Sequence, residues 1–188
     1  MHRPILIVVT GQPGAGKTTL AERLSREWYL PLVSRDRIKE GIVHTLNKSH
    51  EELTEDANLI ATNAFFDTVG FMLDRGVSCV AEAAFQHRLW SERLPALAQK
   101  ARIHMVICRL DPDMALDRFL KRGMEDPSRI RFHGDKGVRM LMSGQMPQPG
   151  TYDEPRLDYP TYHIDTSTGY DPSLESLYNS IFRNLANQ

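Results

Sequence analysis

Ile5-Leu6-Ile7-Val8-Val9-Thr10-Gly11-Gln12-Pro13-Gly14-Ala15-Gly16-Lys17-Thr18-Thr19-Leu20-Ala21 is the stretch on which the fold turns. Its first five residues form a continuous apolar run, the pattern of a strand buried on both faces of a parallel sheet. The run stops at a glycine. Leu20, Ala21, Leu24 and Trp28 then recur at helical spacing, and Pro31 closes that segment. Between strand and helix, Gly11-Gln12-Pro13-Gly14-Ala15-Gly16-Lys17-Thr18 fits G-x-x-x-x-G-K-[ST]. Glycines let such a backbone curl so that several N–H groups point inward at phosphate oxygens. The following helix adds the positive end of its dipole. Lys17 is placed to carry charge to the β- and γ-phosphates of a nucleotide, Thr18 to ligate Mg²⁺, and Thr19 to reach the α-phosphate. A glycine turn matching by chance would lack the flanking strand and helix.

Working outward, short apolar runs alternate with helix-type segments. Leu32-Val33 is a second strand candidate, and Ile38, Ile42, Val43 and Leu46 mark an amphipathic helix. From about Thr54 a long helix is expected to turn Leu59, Ile60, Phe66, Val69 and Leu73 inward and to end at Gly76. Residues 77–81 read as a strand, 89–101 as a helix that Pro95 either kinks or begins, and 103–110 as the clearest strand. Asp111-Pro112 places an N-cap before a proline at the first helical position, and Leu116, Phe119 and Leu120 carry that helix to Gly123.

Residues 123–160 are rich in Gly, Pro, Met and Arg, with one short helical candidate near 137–143. They hold too little apolar material for a second core. They read as a lid over about 123–137 followed by a surface excursion, with Met140, Met142 and Met146 taken as packing. Tyr162-His163-Ile164 is a last strand, and Asp171-Pro172 caps a final helix carrying Leu174, Leu177, Ile181 and Leu185. The whole pattern predicts one α/β domain over 1–188, a five-stranded parallel sheet between two helix layers.

Composition agrees with this class. The chain has 188 residues, 41% hydrophobic and 25% charged, enough to bury a core without metal or disulfide staples. With 23 Lys+Arg against 24 Asp+Glu, no global basic field draws it to nucleic acid or an anionic membrane. Cys79 and Cys108 each sit in an apolar run, as small buried hydrophobes do, which favours a reducing compartment. No run approaches the roughly 20 apolar residues of a membrane span. A cytoplasmic protein is expected.

In open parallel sheets, ligands bind outside the carboxyl ends of the strands. The acids that fall there are Asp36, Glu82, Asp111 and Asp165. Asp111 has a complete alternative role as an N-cap, Asp165 can begin the turn through Gly169, and Asp36 can cap the helix that starts near Arg37. Arg35 and Lys39 beside Asp36 nevertheless form a cluster suited to an anionic substrate. Glu82 ends a hydrophobic strand, the Walker B pattern, where a carboxylate orients Mg²⁺. Phosphoryl transfer needs charge neutralisation, alignment and a group to accept the hydroxyl proton. Asp36 is the candidate base and Glu82 the acid on the metal side; the reverse assignment stays open.

Arg118, Arg122, Arg129, Arg131 and Arg139 crowd the lid region. A flap that delivers arginines both shields the charge developing on a transferred phosphoryl group and excludes water. Arg122 is placed to stack on a base or touch phosphate, and Arg129 and Arg131 come from the flap itself. His133 is expected in an exposed loop.

These motifs, Gly11–Thr18, Ser34-Arg35-Asp36-Arg37-Ile38-Lys39 and the strand ending Glu82-Ala83-Ala84-Phe85, resemble the small P-loop kinases of the AAA_33 type. The likeness continues through Arg118–Arg131 and His163-Ile164-Asp165-Thr166. That group is related in pattern to the kinase domain of phage polynucleotide kinase and to chloramphenicol phosphotransferase. The resemblance implies a P-loop NTPase three-layer sandwich, adenylate-kinase-like with a lid, that uses Mg²⁺-ATP to phosphorylate a hydroxyl. It places Asp36 on the general-base position. Lys39 stands where polynucleotide kinases grip the substrate phosphate with arginine, and a lysine offers a point charge in place of a bidentate fork. The leading expectation is therefore a small-molecule kinase acting on a hydroxyl acceptor. A polynucleotide 5′-hydroxyl kinase and a nucleotide-dependent switch or toxin-like regulator are the alternatives. The last helix can close the monomer's own core as readily as an interface, so the oligomeric state stays open.

Overall fold

The apolar run at the start extends two residues past Val9: β1 spans Ile5–Gly11 and every residue in it is buried. The computed structural model describes residues 3–54 and 56–183. After β1 come α1 (Lys17–Trp28), β2 (Leu32–Ser34), α2 (Arg35–Leu46), a 3₁₀ turn at His50–Glu52, α3 (Asp56–Asp74), β3 (Cys79–Glu82) and α4 (His87–Ala98). The second half holds β4 (Arg102–Arg109), α5 (Pro112–Glu125), α6 (Ser128–His133), α7 (Lys136–Met142), β5 (Thr161–Asp165) and α8 (Leu174–Phe182). The five strands form one sheet in the order β2-β3-β1-β4-β5, and each neighbouring pair is parallel.

Strand alternation sorts β1 between two cores. Leu6 and Val8 face Phe65, Val69, Trp90 and Leu94 of α3 and α4, whereas Ile5, Ile7 and Val9 face Leu20, Leu24, Leu177 and Ile181 of α1 and α8. Helices therefore cover both faces, as an all-parallel sheet requires. Cys79 and Cys108 are unpaired and buried, one in each core. Among the described residues no helix is long and apolar enough to cross a membrane.

The inward stripe of α3 differs from the expected one. Ala57, Ala61, Phe65, Val69 and Leu73 follow one another at every fourth position and are buried, while Leu59 and Ile60 are 55% and 54% exposed. Two small alanines, Ala57 and Ala61, thus occupy buried positions that the sequence reading gives to Leu59 and Ile60. Leu46 is likewise exposed at the end of α2, and Met142 and Met146 lie on the surface instead of packing. Pro95 lies inside α4, at neither its start nor its first turn. The last helix is capped by Ser173, whose hydroxyl accepts from the Ser176 amide at 3.2 Å, in place of Asp171. Leu185 lies outside the described residues.

The excursion after α7 is fastened across the top of the sheet. Thr10 Oγ1, buried at the rim, donates to the Ala83 carbonyl at 2.8 Å and accepts from Trp90 Nε1 at 3.1 Å. Tyr152 brings its hydroxyl to within 2.9 Å of the same oxygen. Burial pushes the Tyr152 phenol up to about 12, so it stays protonated and able to donate. Arg109 holds Glu154 through two nitrogens at 3.1 and 2.8 Å.

Candidate active site

A cleft of about 540 Å³ opens over the carboxyl ends of β1, β2 and β3. One wall is the loop between β1 and α1. Gly14 and Gly16 there adopt φ of 83° and 78°, a left-handed conformation that glycine takes without steric cost. A Cβ on Gly14 would fall 1.9 Å from the Ala115 carbonyl oxygen, so α5 is seated directly against the loop. Gly11 is equally confined, with the Cys108 carbonyl 2.5 Å from where a Cβ would stand. Gln12 turns outward and donates to the Leu110 carbonyl at 2.8 Å, and Ala15 is buried. Gly11, Gln12 and Ala15 therefore shape the loop, while Pro13, Gly14, Gly16, Lys17, Thr18 and Thr19 line the cleft.

Lys17 is buried, and its ammonium donates to the Gln12 carbonyl at 2.9 Å. Burial holds its pKa below the ordinary lysine value, and Glu82 and Asp36 oppose that shift. The parallel register sets Ser34 of β2 beside Glu82 of β3. Ser34 donates to Glu82 Oε2 at 2.7 Å, and Thr18 approaches Oε1 at 3.4 Å. Glu82 is 3% exposed, and burial lifts its carboxyl above the usual range against the pull of Lys17 and Ser34.

Asp36 sits in the first turn of α2, one residue after the helix begins, with the N-cap position held by Ser34. It is not the cap of this helix. Its side chain is 52% exposed and takes an Arg35 nitrogen at 3.3 Å. Arg35 reaches Asn58 of α3 with another nitrogen at 2.9 Å. One turn on, Lys39 is 4% exposed and its ammonium lies 2.7 Å from His50 Nδ1. Burial lowers the pKa of both, and Lys39 further depresses His50. A neutral ring accepting from the ammonium satisfies the pair. Asp111 caps α5 through the amides of Asp113 and Met114 at 3.0 and 3.1 Å, and Asp165 accepts from the Ser167 amide at 2.7 Å. Neither lines the cleft.

The segment read from the sequence as a lid folds into α6 and its flanks. Arg122, at the end of α5, lines the cleft with its guanidinium 6.0 Å from the Phe119 ring centre. Its pKa is lowered by burial and by neighbouring Arg129. Arg129 also lines the cleft, its Nε 3.2 Å from Asp135. The remaining three arginines are structural. Arg118 donates to the carbonyls of Thr166 and Ser167 at 2.9 and 2.7 Å, Arg131 to Asn47 at 3.1 Å, and Arg139 pairs with Glu51. His133, expected in an exposed loop, is 10% exposed and bonds Glu40 at 3.1 Å across the cleft. Burial lowers its pKa as well. Ser34, Glu40, His44, Asp126, Ser128, Phe132 and Asp135 complete the cleft beyond the candidate site residues, together with His133. Only Ser34 carried a signal, its place directly before Arg35-Asp36; His133 and Glu40 meet over 93 residues of sequence.

The chain is similar to known proteins over most of its length. The AAA_33 family, described as an AAA domain, matches residues 6–147. An adenylyl-sulfate kinase of Geotalea uraniireducens (strain Rf4) is 24% identical over 195 residues, spanning 98% of this chain and 84% of that one. A protein of solved structure from Chloroflexus aurantiacus J-10-fl, provisionally assigned as a kinase, superposes with a TM-score of 0.75 at 26% identity, over 100% of this chain and 98% of the other. A gluconokinase from Sinorhizobium meliloti 1021 shares the fold at a TM-score of 0.60 and 16% identity, over 100% and 99% of the two chains. Because the family match runs from β1 past Asp36 and Glu82 to beyond α7, the chain belongs to the AAA_33 family, and it is a P-loop phosphotransferase of the kinase type.

Proposed function

We propose that the protein is one kinase domain with α6 as its lid, transferring the γ-phosphoryl group of Mg²⁺-ATP to a hydroxyl of a small molecule. The observation that carries this reading is the contrast between two carboxylates in one cleft. Glu82 is buried beside Lys17, Thr18 and Ser34, whereas Asp36 is half-exposed at the cleft surface. An accessible carboxylate can take a proton from an incoming hydroxyl, and a buried one tied to cationic and hydroxyl partners is better suited to hold charge in place. That contrast favours Asp36 as base and Glu82 as the acid on the metal side.

The Thr18 hydroxyl and Glu82 carboxylate are the hard oxygen donors that Mg²⁺ prefers. Mg²⁺ usually keeps several waters and is bound through one or two protein oxygens together with substrate phosphates. When bound, Mg²⁺-ATP supplies the transferable phosphoryl group and neutralises part of its charge. With the nucleotide bound, Lys17 would exchange the Gln12 carbonyl for a phosphoryl oxygen, Arg122 and Arg129 would stabilise the charge on the transferred group, and α6 would exclude water. Asp36 accepts the proton of the acceptor hydroxyl. Arg35 and Lys39 line the charged cleft beside Asp36.

A nucleic-acid acceptor is disfavoured because the local basic residues are already engaged. Arg37 pairs with Glu22 and Glu40, Lys39 with His50, and Arg35 with Asp36 and Asn58. ATP dependence and two unpaired thiols, which burial pushes up to about 12 and so keeps inert, fit a cytoplasmic setting. The test is mass spectrometry after incubation with Mg²⁺-ATP and pooled hydroxyl metabolites, nucleosides, aminoglycosides and 5′-hydroxyl oligonucleotides. One small acceptor should gain a phosphoryl group with wild type and almost none with Asp36→Asn, while ATP affinity is unchanged. Wild-type transfer by Asp36→Asn would remove the base assignment. Tight ATP binding without transfer to any acceptor would favour a switch.

A further inference from the structure

Next to the charged cleft lies a second cavity of about 300 Å³, and none of the described residues lining it is charged. It sits between the phosphate loop, the first turns of α5 and the segment 147–152. The two cavities share Pro13, Ala84 and Phe119 along their common edge. Their chemistry differs sharply. The first is lined by Lys17, Arg35, Asp36, Glu82, Arg122 and Arg129 among other ions, the second by Leu116, Phe119 and Pro147 together with the neutral amides of Gln86 and Gln148.

Lys17, through the Gln12 carbonyl, relates the second cavity to the phosphate end of the loop. A lysine at this place in a phosphate loop serves the terminal phosphates, and Lys17 Nζ lies 2.9 Å from the Gln12 carbonyl. Gln12 and Pro13 are the loop residues that line the second cavity, whereas Thr18 and Thr19 line only the first. The neutral cavity thus adjoins the end of the loop where transfer takes place. Its walls are also held in place. Tyr152 is fastened to Thr10 at 2.9 Å and to the Phe85 carbonyl at 3.2 Å, and a Cβ on Gly137 would come within 3.3 Å of the Phe119 ring.

We infer that this cavity holds the body of the phosphate acceptor, an uncharged molecule with ring or alkyl surface and hydroxyl or amide groups, whose reacting hydroxyl passes between Pro13 and Ala84 toward Asp36. The inference rests on the kinase reading above and narrows it. A sugar acid, a sulfate ester or a nucleic-acid strand would set an anion against a wall that has no cation to meet it, and an unpaired charge taken from water is costly. The same wall accepts a neutral ring on Leu116 and Phe119 and satisfies its polar groups with the glutamine amides.

The test uses matched probes, phenyl β-D-glucoside against phenyl β-D-glucuronide and benzyl alcohol against benzoate. Binding is followed by NMR on the labelled full chain with Mg²⁺ and a non-hydrolysable ATP analogue. The neutral members should shift the amides of Gln86, Leu116 and Gly150 and bind at least about ten-fold tighter than their anionic partners. Gln148→Lys, at an exposed position, should cut that preference about ten-fold by supplying a cation. Equal binding within each pair, shifts confined to the charged cleft, an unchanged preference in Gln148→Lys, or no binding of either neutral probe would each overturn the inference. Phosphoryl transfer is read separately. Transfer to an acceptor with an anionic body would remove this assignment and leave the kinase reading standing; neutral binding without transfer to any acceptor would do the reverse.

Discussion

Replacing Gly134 with alanine should release the lid, and the structure sets the size of the effect. Gly134 ends α6 at φ 68°, and a Cβ there would fall 2.0 Å from His50 Cδ2 and 2.6 Å from Nε2. The ring has little freedom to retreat, because its Nδ1 lies 2.7 Å from the buried ammonium of Lys39. Alanine in the left-handed region costs about 1–2 kcal/mol. Losing a hydrogen bond from a charged donor costs about 1.5–3 kcal/mol more. The sum of about 2.5–5 kcal/mol shifts the docked-to-undocked ratio by roughly two to three and a half decades. Undocking would break Arg131–Asn47 and His133–Glu40 and withdraw Arg129 from the cleft. Hydrogen exchange should show lost protection across 128–133, and turnover should fall by at least about ten-fold. In a His50→Ala background the clash is already gone, so Gly134→Ala should cost only its backbone part, about 1–2 kcal/mol. Additive costs in this cycle, or full protection in the single variant, would refute the latch.

Three further outcomes follow from the same geometry. Lys17→Ala should lower kcat by at least about two to three orders of magnitude, measured with saturating ATP, because it removes a preorganised cation from the transferring group; an effect on KM alone would remove that role. Gly14→Ala sets a methyl 1.9 Å from a backbone oxygen that no rotamer can move, so α5 must shift off the loop. Calorimetry should find nucleotide affinity down at least about ten-fold and Tm lower by several degrees, at roughly 2–4 °C per kcal/mol for a chain of this size. Burial holds His50, His104 and His133 below the ordinary value of 6.5, so on acidification the unfolded chain takes up protons first. Stability is then fully present above 6.5 and is lost as pH falls from there through the lowered folded values. Tm should drop across that range, less steeply in His133→Gln, and a flat profile would contradict neutral burial of these rings.

The phosphate loop was legible because its chemistry is local. Gly11 to Thr18 are one contiguous motif whose shape depends on its own backbone, and the flanking strand and helix declare themselves within a few residues by apolar period. The rim acids were legible as candidates for a related reason: in a parallel sheet the residue after each apolar run falls at the ligand-binding edge. Period alone misjudged α3, because the buried alanines at 57 and 61 carry less hydrophobic weight than the exposed Leu59 and Ile60.

Tertiary structure decided what each of those residues can do. Register between β2 and β3 buries Glu82 against Ser34, while Asp36, two residues beyond Ser34, stays accessible on α2. Folding over the lid engages Arg118, Arg131 and Arg139 elsewhere and leaves Arg122 and Arg129 to the cleft. His133 and Glu40 meet from opposite halves of the chain, and Tyr152 closes a neutral wall over a strand more than a hundred residues earlier. The sequence by itself determined the phosphate loop, the five strands and the longer helices, since these follow from contacts within a few residues, but not α6. Burial, pairing and charge environment belong to contacts between distant segments, and for that reason they appear only in the folded protein.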